Sequence, residues 1–209
     1  MNKAFSLIEL LTTIAVLALL AALAVPVGLR TLERARVARV VADLQTVEVA
    51  LEAYRADHGR YPPVSVSCMA ADAEEELQLP PELGDGGYLP KNARAKTASL
   101  LEDPFRPGHT YKYAAPERYW LNGDMQPIRF AVWVPSDFPA CQSPSGKADR
   151  SARSPLAWAV WSQGPRPDSA KARDVKAPTA SHTWYRGTGD DGVIGRYKAR
   201  DGATWSTLR

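Results

Sequence analysis

The chain has 209 residues, 45% of them hydrophobic and 23% charged, with a formal charge of +3. That length holds one domain with its own core, and the composition excludes a disordered, low-complexity polymer. The three histidines, His58, His109 and His182, lie outside ligand spacing of one another. The sequence also has no Gly-x-Ser-x-Gly, phosphate-cradling glycine loop or His-Glu-x-x-His, so hydrolase and metalloenzyme classes are set aside.

In chain order, the first element is apolar. From Leu10 to Leu29 there is no charged residue, and Glu9 stands at the head of the run. Roughly 20 apolar residues rising 1.5 Å each match a hydrocarbon core of about 30 Å. The stretch is too long for the apolar core of a secretory signal peptide, and a helical pattern follows it without a break. A carboxylate at the edge of such a segment costs about 2–3 kcal/mol if it lies deep in lipid, so it requires a partner and a purpose. A plain membrane anchor explains the length but not Glu9.

The run Lys3-Ala4-Phe5-Ser6-Leu7-Ile8-Glu9-Leu10-Leu11 resembles the processing site of type IV pilins and of type II secretion pseudopilins. The resemblance implies cleavage by prepilin peptidase between Ala4 and Phe5, with N-methylation of Phe5. It also makes Glu9 the acidic residue of the family, able to match the new amino terminus of a neighbouring subunit. The family usually has Gly before the cut, where this chain has Ala4. Pro26 falls where many members kink the helix, and a helix-interior Pro lacks one backbone donor in any case. On this reading residues 1–4 are a leader and 5–29 the membrane and filament-core helix. Arg30, Arg34, Arg36 and Arg39 follow the span, so charge alone would leave the long domain in the cytoplasm. The resemblance implies the reverse: a single-pass protein of the bacterial inner membrane, with its head in the periplasm or cell exterior.

Residues 30–58 continue the helix in amphipathic form. Val37, Val40, Val41, Leu44, Val47, Leu51 and Tyr54 recur at three- and four-residue steps, a stripe expected to pack on the protein's own sheet. Arg34, Arg36, Arg39, Asp43, Glu48, Glu52 and Arg55 are placed on the remaining faces. Gly59 and Pro62-Pro63 predict a stop near His58. The segment Tyr54-Arg55-Ala56-Asp57-His58-Gly59-Arg60-Tyr61-Pro62 resembles the helix-to-loop junction of the major, G-type pseudopilins.

Residues 59–102 are expected as a helix-to-sheet loop region with one short helix near Ala70–Leu77. From 103 to 209 an antiparallel sheet and a C-terminal loop region are expected. Strands are predicted around Tyr111 and Tyr113, at Arg118–Leu121, at Arg129–Pro135 and at Leu156–Ser162. The fold class is therefore α+β: a long N-terminal helix on a small antiparallel sheet, pilin-like.

Ser162-Gln163-Gly164-Pro165 and Asp168 resemble the segment after the last main strand of pseudopilins, a region that holds calcium in the major group. Calcium takes six to eight oxygens. The acids available are Asp168, Asp174, Asp190 and Asp191, interleaved with Arg and Lys; surface turns are the alternative. Cys68 and Cys141 match no metal spacing and could form one disulfide in an exported head. Between Lys147 and Arg209, twelve Lys and Arg stand against six Asp.

The resemblance implies a structural pseudopilin of a type II secretion system, not an enzyme. Its partners would be further copies, other pseudopilins, prepilin peptidase, the inner-membrane assembly platform and the membrane. The alternative is a minor pilin of a type IV pilus or competence machine, its basic tail and Trp184, Tyr185, Tyr197 and Trp205 binding DNA.

Overall fold

A single helix, α1 (Leu7–His58), leads from the apolar start into the head. The computed structural model describes residues 7–66, 76–90, 101–173 and 180–208. Ala and Leu are the commonest residues of the helix and lose little rotamer freedom in this geometry. Pro26 lies inside it and does not end it. Its missing N–H leaves the Ala22 carbonyl without its usual helical donor. Gly59 terminates the helix in the left-handed region at φ 69°, and its N–H donates to the Arg55 carbonyl at 2.8 Å. This is where the sequence places the stop.

The head follows as β1 (Val64–Val66), α2 (Glu82–Asp85), β2 (Lys112–Ala114), β3 (Arg118–Leu121), β4 (Asp124–Arg129), β5 (Val132–Val134), β6 (Lys147–Asp149), β7 (Leu156–Ser162), α3 (Ala170–Arg173), β8 (Ile194–Ala199) and β9 (Thr204–Ser206). The main sheet has four antiparallel strands in the order β2-β7-β8-β9. A second sheet, β1-β3-β4, contains one parallel pair, Val64–Val66 beside Tyr119–Leu121. A hairpin, β5-β6, completes the set.

The core forms where the second half of α1 meets the main sheet. Val40, Leu44, Val47, Ala50, Leu51 and Tyr54 are buried, and Val37 and Val41 pack partly against them. The apolar stripe therefore meets the chain's own sheet, as expected. Strand pairing sorts the opposing side chains, since paired residues share a face. Trp158 pairs with Lys198 and Val160 with Arg196. A hydrogen bond from Trp158 and ion pairs from Arg196 and Lys198 to helix acids put this set on the helix side. Tyr197 takes the other face with Trp205, against Phe138.

The strands predicted at Arg118–Leu121 and Leu156–Ser162 have those bounds, and β5 lies within the predicted Arg129–Pro135 run. The tail departs from its reading as a loop region, because β8 pairs along β7 and supplies β9 with its partner. Residues 70–75 of the predicted short helix lie outside the described residues. Glu76 and Leu77 form a turn, with Leu77 at φ 60°.

Candidate assembly and docking site

The first half of α1 makes no buried surface in the isolated chain. From Leu7 to Leu32 its residues are all exposed, although Leu, Ile and Val dominate. Among the described residues this is the helix long and apolar enough to cross a membrane. The hydroxyls within it are satisfied locally: Thr12 donates to the Glu9 carbonyl at 3.0 Å and Thr13 to the Leu10 carbonyl at 2.8 Å. Such internal pairing suits a segment surrounded by lipid or by other helices, where water is absent. Glu9 lies in the first turn, exposed, and is separated from Pro26 by about 25 Å of helix axis. Ala4 and Phe5 lie outside the described residues.

The second half of α1 carries a row of acids, and Asp43, Glu48 and Glu52 are expected off the apolar stripe that packs on the sheet. Several of them dock the head instead. Glu52 accepts hydrogen bonds from Tyr61 at 2.8 Å and Trp158 Nε1 at 3.0 Å, with Lys198 Nζ at 3.2 Å. Burial pushes its carboxyl up, but donors from Trp158, Tyr61 and Lys198 outweigh this and hold it below its usual range. Glu48 pairs with Arg196 and accepts from Thr204 Oγ1 at 3.0 Å. Asp43 accepts from Tyr111 at 2.8 Å, and Asp57 from Tyr88 at 2.7 Å. Nearest the exposed apolar half, Glu33 accepts from Tyr185 at 2.9 Å and from the Gly189 N–H at 3.0 Å.

One signal for this docking was present in the sequence. Arg196 and Lys198 alternate along one strand, while Glu48 and Glu52 lie four residues apart on one helix face. Neither pattern identifies its partner alone, because more than 140 positions separate each ion pair.

The tail acids divide. Asp190 and Asp191 come together on Lys171, whose Nζ is 2.9 Å from one carboxylate and 3.3 Å from the other. Asp168 pairs with Arg106 at 3.6 Å and leaves 77% of its side chain exposed. Asp174 lies outside the described residues. Among the described residues no group of three or more His, Cys, Asp or Glu is placed to hold a metal. A lysine ammonium stands between the two converging carboxylates. Cys141 is half-buried, its Sγ 3.7 Å from the Val134 carbonyl, whereas Cys68 is outside the described residues. Of the aromatics proposed for base stacking, Tyr185 and Tyr197 are buried in the core, and Trp184 packs partly against it. The neighbouring Arg196 and Lys198 are engaged by helix acids.

A family model described as type II secretion system (T2SS), protein G matches residues 28–124, from the end of the apolar run to the start of β4. Type II secretion system core protein G of Klebsiella pneumoniae is 31% identical over 122 residues, 56% of this chain and 78% of the relative. The chain belongs to the type II secretion system protein G family. The core protein G of Pseudomonas aeruginosa is 30% identical over 116 residues, covering 55% of this chain and 75% of the relative. That of Vibrio cholerae is 29% identical over 112 residues, covering 54% and 70%. No solved structure gives a significant match. The protein G family is structural and non-enzymatic. The family model takes in the docked half of α1 and strands β1 to β3, whereas β5 to β9 and Lys171 lie beyond the residues it matches.

Proposed function

We propose that this protein is the major pseudopilus subunit of a type II secretion system and works by assembly, not by chemistry. The carrying observation is the division of α1: an exposed apolar half and a half bolted to its own head by Glu33, Asp43, Glu48 and Glu52. About 25 cal/mol per Å² is recovered when apolar surface leaves water, so the exposed half is stable only in lipid or against like helices. Moving between those two environments is what a subunit does when it passes from membrane to filament. Its partners are then further copies and the other components of the secretion machine. The head faces the periplasm, tethered to the inner membrane by a single span.

Processing fits the same scheme. Cleavage between Ala4 and Phe5 by prepilin peptidase would give an amine at the membrane boundary, N-methylated on Phe5. In the filament, a neighbour's Phe5 amine would meet Glu9 and neutralise both charges where the dielectric is low; removing one partner of such a pair costs about 3–5 kcal/mol. Intact mass of the membrane-extracted chain, followed by cross-linking of filaments, tests this. The expected result is a mature chain beginning at methylated Phe5, with Glu9→Ala processed normally but poorly assembled. A chain retaining Met1, or normal filaments from Glu9→Ala, would overturn the scheme.

A further inference from the structure

A lysine ammonium of the head meets the turn before β8. Lys171 projects from α3 and places Nζ 2.9 Å from Asp190 Oδ1 and 3.3 Å from Asp191 Oδ1. Asp190 has two further donors: Oδ2 accepts the Arg186 N–H at 2.7 Å, and Oδ1 accepts the Asp191 N–H at 2.8 Å. Ser169, two residues before Lys171, donates its hydroxyl to the Asp191 carbonyl at 3.2 Å. Asp168, a further acid in the same segment, is turned away to Arg106.

We propose that the Lys171 ammonium replaces a divalent metal ion as the cation that closes this loop, making the head independent of calcium. Charge and geometry both support the assignment. A calcium ion requires six to eight oxygens, several of them carboxylate. Here the two converging carboxylates already share an ammonium, and the carbonyl of Asp191 has a hydroxyl donor. An ammonium tethered by its own chain acts at an effective concentration of about millimolar or more, with which a weak extracellular calcium site at about 0.1–1 mM must compete. Burial raises the Asp190 carboxyl, but Lys171 and the two backbone donors outweigh it and bring it down to about 2. Lys171 is correspondingly held above its usual value, first by the hydrogen bond to Asp190.

What this cation secures is the contact between loop and helix. The same loop donates Gly189 N–H to Glu33 at 3.0 Å, and Tyr185 beside it donates to the same oxygen at 2.9 Å. Arg34 reaches Thr188 Oγ1 at 3.4 Å. Closing the loop therefore fixes the membrane-proximal end of the docked helix.

Thermal unfolding of the full-length chain in detergent micelles, followed by near-ultraviolet circular dichroism, tests the proposal. The wild-type chain is expected to melt at one temperature in excess EGTA and in millimolar calcium. In EGTA, Lys171→Met is expected to melt several degrees lower, because Asp190 and Asp191 are left facing each other. A rise of several degrees on adding calcium to the wild-type chain would overturn the proposal. So would a Lys171→Met chain that melts with the wild type in EGTA.

Discussion

Glu52 shows how one side chain can decide a fold's geometry. It receives Tyr61, Trp158 and Lys198 from separate parts of the chain, so its loss strands several polar groups at once. Leaving a buried donor unpaired costs about 1–3 kcal/mol. Glu52→Ala is therefore expected to lower the melting temperature of the full chain by about 4–10 °C, and Glu52→Gln by less, since an amide oxygen can still accept from Trp158. Near-ultraviolet circular dichroism, which reads the buried Trp158, distinguishes them; equal losses would place the effect in packing. Asp103 presents the opposite balance. It is buried and accepts the Phe105 N–H at 2.9 Å. Burial pushes its carboxyl up to about 6, against hydrogen bonds from Ser162 and from the Phe105 and Gln163 backbone. The folded chain thus holds this proton more tightly than the unfolded chain, whose carboxyl titrates near 3.8. The stability it contributes is complete below the unfolded value and is lost as pH rises through the folded one. Between about pH 7 and pH 5 the wild type should gain several degrees relative to Asp103→Asn; parallel melting curves would mean the carboxyl is ionised throughout.

At the scale of elements, α1 behaves as two helices joined end to end. Leu51 is 0% exposed in the core, while Val49, two residues earlier, is 69% exposed. Leu51→Ala should cost about 2–5 kcal/mol, whereas Val49→Ala should stay within about 0.5 kcal/mol. Equilibrium urea unfolding of the two variants checks the helix's rotation, and similar losses would place Val49 in the core. The helix, its stop at Gly59 and the strands β3 and β7 were legible because local signals agree: a 3.6-residue stripe, a glycine stop, and β-branched and aromatic runs between turns. Strands β8 and β9 were not legible. Ile194-Gly195-Arg196-Tyr197-Lys198-Ala199 alternates, but its charged side faces the helix, so the pattern resembles a solvated edge until Glu48 and Glu52 are brought opposite. The same concealment affected the helix acids, which resemble a solvated face in sequence and form the dock in the fold.

For the whole molecule, the separation of head and apolar half sets what can fail independently. Residues Leu7 to Leu32 are exposed, and the core begins at Val40. The Glu9→Ala chain should accordingly assemble poorly while its head melts with the wild type, a separation that a folding defect would not give. The sequence by itself determined the apolar span, the acid at its head, the likeness to a processing site, and the stripe that sends the rest of the helix against a sheet. These are local or periodic features, set by side-chain chemistry at short spacing. Only the tertiary structure decided which charges are neutralised internally: Arg196 and Lys198 on the helix, and Lys171 between Asp190 and Asp191. An ion pair across a fold depends on which distant segments are brought within a few ångströms, and the spacing of residues along a chain does not carry that information.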